Sequence, residues 1–112
     1  MAALATQSIR RSGVNPAYVA ATGGGDTCTP GMRTFLHIKN GGASPITVTL
    51  DAVAIPETDM LVADLAVVVT NAQERMIGPI DPPTFARASD GQCAITYSSA
   101  TSVTVGIFDL GM

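Results

Sequence analysis

The side chains able to do chemistry are few in this 112-residue chain, and none recurs at a catalytic spacing. The single histidine, His37, lies in "RTFLHIKN" between Leu36 and Ile38. An apolar, alternating context of that kind marks a sheet-face or interface histidine rather than a general base, which needs a nucleophile or substrate within reach. Two thiols, Cys28 and Cys93, together with one imidazole fall short of the four ligands a structural zinc takes. With no export signal ahead of them they read as small buried or half-buried thiols, and whether they meet is left open. Glu57, Asp59 and Asp64 in "PETDMLVAD" form an acidic cluster without the Asp-x-Asp-x-Asp-Gly rhythm of a calcium loop, so they read as a solvated loop. Gly23-Gly24-Gly25-Asp26 lacks the Lys-Ser/Thr and the following helix of a phosphate-cradling loop, and reads as flexible connection. The expectation is therefore no cofactor, no metal and no enzymatic activity.

The elements that would position these residues are strands. In "MRTFLHIK" Thr34, Leu36 and Ile38 alternate with Arg33, Phe35, His37 and Lys39, as in a strand covered on both faces. In "ITVTLDA" Ile46, Val48 and Leu50 alternate with Thr47, Thr49 and Asp51, as in a strand with one wet face. The "NGGASP" between them supplies Asn40, Gly41 and Gly42 for positive backbone dihedrals and Pro45 to stop pairing, which predicts a β-hairpin. "LAVVVT" (Leu65 to Thr70) and "RMIGPI" (Arg75 to Ile80) follow, with Gly78-Pro79 marking a bulge or an early end to pairing. "DPPTFARASDG" (Asp81 to Gly91) reads as loop. "QCAITYSS" sets Cys93, Ile95 and Tyr97 against Ala94, Thr96 and Ser98, and "SVTVGIFDL" sets Val103, Val105 and Ile107 on one face. The short connection between these last two predicts a second hairpin. Sustained helical periodicity is missing; "TDMLVADLAV" comes nearest and has room for one turn.

With a further strand near Thr6 to Ile9, six to eight short strands separated by turn signals predict an all-β fold, a small antiparallel β-sandwich of jelly-roll or Greek-key type. Residues 31–112 would form the sandwich. Residues 1–30, with "SGVNPAYVAATGGGDTCTPG" lacking any period, would form an irregular extended N-terminal arm. Thr47, Thr49, Thr96 and Thr104 suit the polar side of a sheet as well as they suit a binding surface.

Charge limits the partners. Charged residues make up 13% of the chain, about half the roughly 25% usual for soluble domains, so some of the surface is expected to meet protein. A net charge of −3, with Arg10-Arg11 the sole adjacent basic pair, carries no footprint for nucleic acid. No apolar run reaches the roughly 18 residues of a membrane span, and the N-terminus does not read as a signal peptide, so the chain is expected to start in a cytoplasm.

"GMRTFLHIKNGGASPITVTLDA", "ERMIGPI", "FARASDGQCAITYSS" and "TSVTVGIFDL" together resemble small virion proteins of tailed bacteriophages, of the head decoration or capsid cement type, over Gly31 to Leu110. The resemblance implies a structural protein on the capsid exterior, assembled in the host cytoplasm as a trimer or dimer and clamping the major capsid protein lattice. The contacts would fall to the N-terminal arm with Arg10, Arg11 and Tyr18, and to a loop with Asn40, Gly41, Gly42 and Pro45. A tail or head-to-tail connector component is the alternative within the virion. A carbohydrate-binding module, with Tyr18, Tyr97 or Phe85 as stacking platform, is the alternative of another class.

Overall fold

The computed structural model describes residues 2–52, 64–87 and 90–110. Glu57, Asp59 and the stretch of "TDMLVADLAV" before Asp64 lie outside the described residues. Ten strands and one helical turn are present among those described, arranged as two five-stranded sheets packed face to face.

The first sheet has the order β1 (Ala2–Ala3), β4 (Asp26–Cys28), β9 (Cys93–Tyr97), β6 (Ile46–Leu50), β7 (Leu65–Val69). The second runs β2 (Thr6–Ile9), β10 (Val103–Leu110), β5 (Thr34–Asn40), β8 (Glu74–Ile77), with β3 (Val19–Ala20) also paired to β10. The small β-sandwich expected from the strand spacing is the fold. Its sheets, however, are mixed rather than purely antiparallel: β1 pairs β4 and β2 pairs β10 in parallel. Both parallel pairs are made by the N-terminal residues, which pair only after long crossovers, and local alternation does not reveal them. The segment 1–30, read as an arm, is extended but lies along its own sandwich, supplying β1 and β4 to one sheet and β2 and β3 to the other.

Neither predicted hairpin forms. β5 and β6 belong to opposite sheets, as do β9 and β10, and β7 and β8 repeat the pattern. Each connection is an arch that carries the chain across the core. Pairing explains this: both sides of β5 are taken, by β10 and by β8, so β6 joins the other sheet, where its Ile46, Val48 and Leu50 meet Leu36 and Ile38 in one buried cluster. Gly41 and Gly42 are not among the positive-φ residues; in the arches that conformation falls to Ala72 and Ser102, both at φ 60°. Within a sheet, β6 and β7 pair across the connection 51–64.

Asn40 locks the three arches together. Its side-chain amide donates to the carbonyls of Ser44 (2.8 Å) and Val69 (3.1 Å), and its carbonyl accepts from the Gly42 amide (3.0 Å). Its backbone amide donates to Gln73, and the Gly41 amide donates to Ser102. At 2% exposure Asn40 belongs to the interior, so its expected place in a contact loop is corrected: the side chain builds the loop and does not face outward.

In "RMIGPIDPPTF" one expectation holds and another does not. β8 ends at Ile77, the early end to pairing that Gly78-Pro79 marks, and a Cβ on Gly78 would stand 2.6 Å from the Phe35 Cβ, so this turn accepts only glycine. Pro82–Phe85, read as loop, makes one helical turn with proline in its first positions, where a missing amide costs nothing. Among the described residues no helix is long and apolar enough to cross a membrane.

Candidate functional site

The alternation in β5 puts Phe35, His37 and Lys39 on the outer face of the second sheet, opposite Phe108, Gly106 and Thr104 of β10. Both faces of this strand are covered, as its mixed polarity suggested. The second cover is the chain's own residues 10–18. Gly106 makes room for it: a Cβ there would stand 3.1 Å from the Ala17 carbonyl and 3.0 Å from the Phe108 ring. Gln7 clips the segment in place, its amide nitrogen donating to the Ala17 carbonyl and its amide oxygen accepting from the Ala17 N–H, both at 2.8 Å.

Tyr18 ends this strap and joins a hydrogen-bonded chain. Its hydroxyl is hydrogen-bonded to His37 Nδ1 at 2.6 Å, and His37 Nε2 donates to Glu74 Oε1 at 2.7 Å, since a carboxylate only accepts. The Tyr18 ring meets His37 edge-on at 5.3 Å between centroids and Phe108 at 5.7 Å, and the Lys39 ammonium sits 3.8 Å above it. Phe108 stacks in turn on Phe35 at 5.8 Å. A Tyr–His–carboxylate chain has the parts of a proton relay, but here the phenol anchors the strap and the imidazole is a buried spacer between two elements. His37 is thus the sheet-face histidine expected from its context. Glu74, Phe108 and Gly106 were not singled out from the sequence; the alternation of "SVTVGIFDL" assigns Phe108 and Gly106 to the outward face but shows no partner for them.

Beside the strap lies a groove of about 310 Å³ walled by Val14, Pro16, Phe35, Met76 and Phe108, with Arg10 and Tyr18 at its lining. A second groove of about 340 Å³ continues from it past Pro79 to Leu110, sharing Phe35 and Met76. Met76 is 68% exposed and Leu110 55%, so this is an apolar surface open to solvent.

The predicted contact residues therefore separate. Arg10 and Tyr18 share the groove; Arg11 is exposed next to it in sequence; Gly41 and Pro45 are exposed and Gly42 half-buried on the first arch. Of the proposed stacking platforms, Phe85 is buried in the core, and Tyr97 points inward to donate its hydroxyl to Asp26 Oδ2 at 2.8 Å. Tyr18 has one face taken by Lys39. None offers a free ring, and the carbohydrate-binding alternative loses its platform.

Three further places gather carboxyl, phenol or thiol groups. Asp26, fully buried, accepts from Tyr97 Oη, from the Thr22 amide (3.2 Å) and from the Ala2 amide (3.4 Å). Burial, and then this bond to Asp26, push the Tyr97 phenol well above its ordinary range. Asp64, the described member of the acidic cluster, accepts from the Ala52 amide at 2.8 Å. Burial, followed by the Asp64 charge, raises the neighbouring Asp51 carboxyl. Cys28 and Cys93 are buried free thiols that stand directly opposite each other on β4 and β9. Among the described residues no group of three or more metal-ligating side chains is assembled.

The outer edge of the first sheet is β7, "LAVVV", which has no charge, proline or glycine; Val68 is 55% exposed. On the second sheet the edge strand β8 carries Glu74 and Arg75 and stops at Gly78-Pro79, devices that discourage a further strand.

No protein-family profile, curated protein or solved structure matches the chain.

Proposed function

We propose that this protein is a structural component of a tailed-phage virion that binds the major capsid protein lattice and stabilises the head. The likeness of its strands and turns to head decoration proteins supplies that setting. The observation in its favour is the apolar double groove joined at Phe35 and Met76, a surface that a monomer in water has no reason to keep open. A capsid segment placing an apolar side chain there would bury Met76 and Leu110 beside the arginine at position 10. The edge strand β7, with no partner on its outer side among the described residues, suits self-assembly: an antiparallel pair centred on Val67 would set Leu65 against Val69 and Ala66 against Val68 of a second copy, with no like charges opposed. Binding many copies to the lattice then ties capsomers together by mass action and multivalency.

The test is to mix the protein with heads that lack it, pellet the particles and measure bound copies against major capsid protein. Saturation at a fixed ratio across the lattice, lost in Met76→Glu, supports decoration. Binding limited to one ring per particle points to the connector alternative, and no binding removes the virion reading.

A further inference from the structure

Cys28 and Cys93 are register partners in the antiparallel β4–β9 pair, and both side chains are fully buried in the core. The neighbouring hydrogen bonds fix the kind of pair. The Ala94 carbonyl accepts from Asp51 on the β6 side, and the Thr27 carbonyl accepts from Leu4 on the β1 side. Peptide groups alternate in direction along a strand, so Cys28 and Cys93 turn theirs toward each other. Such a hydrogen-bonded pair has Cα atoms about 5.5 Å apart, inside the roughly 4.4–6.8 Å that disulfides span.

We propose that Cys28 and Cys93 form a covalent modification site, a dithiol that a small peroxide converts into an intramolecular cross-strand disulfide. Access comes through the end of the sheet: β4 has three residues and is flanked by the two-residue β1, so local opening there disturbs few bonds. The Cys93 sulfur beside it, and then burial, push the Cys28 thiol above its ordinary range, while the Cys28 sulfur holds the Cys93 thiol lower. Either sulfur can open the sequence, and Cys93 is taken as the attacking one. It displaces hydroxide from hydrogen peroxide, breaking the O–O bond and becoming a sulfenic acid. The Cys28 sulfur then attacks the Cys93 sulfur; the S–S bond forms, the S–O bond breaks and water leaves. Two thiols and one peroxide become one disulfide and two waters. The product fastens β4, and with it the N-terminal strands, to β9 across a long loop of the chain.

The test uses the full chain, treated with stoichiometric hydrogen peroxide and measured by intact mass under non-reducing, denaturing conditions. The expected result is a monomer lighter by two hydrogens, a Cys28–Cys93 linked peptide, and a melting temperature higher by about 5 °C that reverts with reductant. Cys93→Ala should show neither the mass loss nor the rise. A dimer linked through sulfur, oxygen added at either cysteine without loss of two hydrogens, or two alkylatable thiols remaining after exposed Met32 and Met76 have oxidised would each overturn the proposal.

Discussion

Asn40 and Asp26 are two short polar side chains buried to similar extents at different places in the sandwich, and they do opposite work. At Asn40 the arches leave carbonyls over: Ser44 and Val69 need a donor, and a single amide, that of Gly42, needs an acceptor. At Asp26 the surplus is of donors: the amides of Ala2 and Thr22 and the hydroxyl of Tyr97. A carboxamide answers the first need and a carboxyl group the second, although the two side chains are almost the same shape. The residue type at each hub follows from what the surrounding backbone leaves unpaired.

Reciprocal isosteric exchange breaks this comparison most sharply. Asn40→Asp turns two donors into acceptors facing the Ser44 and Val69 carbonyls, and should cost about 4 kcal/mol in denaturant unfolding. Asp26→Asn keeps one oxygen for Tyr97 and Thr22, which share Oδ2, but sets an amide nitrogen against the Ala2 amide at the Oδ1 position, so about 2 kcal/mol is expected. Hydrogen exchange should separate the two further. The Asp26 change should loosen amides near Ala2 and Thr22 ahead of the rest, whereas the Asn40 change should lower protection throughout, since it joins β5, β7 and β10. Equal losses with identical exchange patterns would show that the hubs are not distinct.

Tyr97→Phe sharpens the Asp26 side. Removing one hydroxyl leaves two donors on the carboxyl group, and a loss of about 1 kcal/mol at neutral pH is expected. The pH dependence is more diagnostic. The folded Tyr97 pKa lies above that of the unfolded phenol, which is about 10, so the protonated form is favoured by folding. Its stabilisation is complete below pH 10 and is lost as pH rises toward the folded value. Wild-type stability should therefore fall with alkaline pH more steeply than that of Tyr97→Phe. Parallel slopes would remove the phenol from the account.

How far the hubs were legible from sequence differs in an instructive way. Strand positions, the inward set Ile46, Val48, Leu50, Cys93, Ile95 and Tyr97, and the sandwich itself follow from alternation, which is local. "NGG" after a strand predicts a hairpin because turn chemistry is local too; that Asn40 instead faces inward depends on carbonyls at Ser44 and Val69, the latter 29 residues away. Asp26 was masked by three glycines that suggest a loop, and its partner Tyr97 is 71 residues distant. The strap over His37 shares this character, since the Gln7–Ala17 clip and the space above Gly106 are tertiary facts with no periodic signature. Apolar patterning says which face of a strand is covered, but not which part of the chain covers it.

The smallest effect expected lies at the Asn40 end and has the opposite sign. The arch from β7 to β8 turns through Ala72 at φ 60°, a conformation that costs an L-residue with a Cβ about 1 kcal/mol, and the next residue, Gln73, supplies the carbonyl that receives the Asn40 amide. Ala72 is exposed, so replacing it removes no core contact. Ala72→Gly relieves the steric cost while adding freedom to the unfolded chain, and the balance should be a gain of up to about 0.5 kcal/mol. Because the Asn40 side chain also holds the start of this arch through the Val69 carbonyl, this gain should shrink in an Asn40→Asp background, where that hold is lost. Full additivity of the two changes in a double-mutant cycle would mean that Ala72 is strained by its own turn alone and that the Asn40 hub does not enforce the arch.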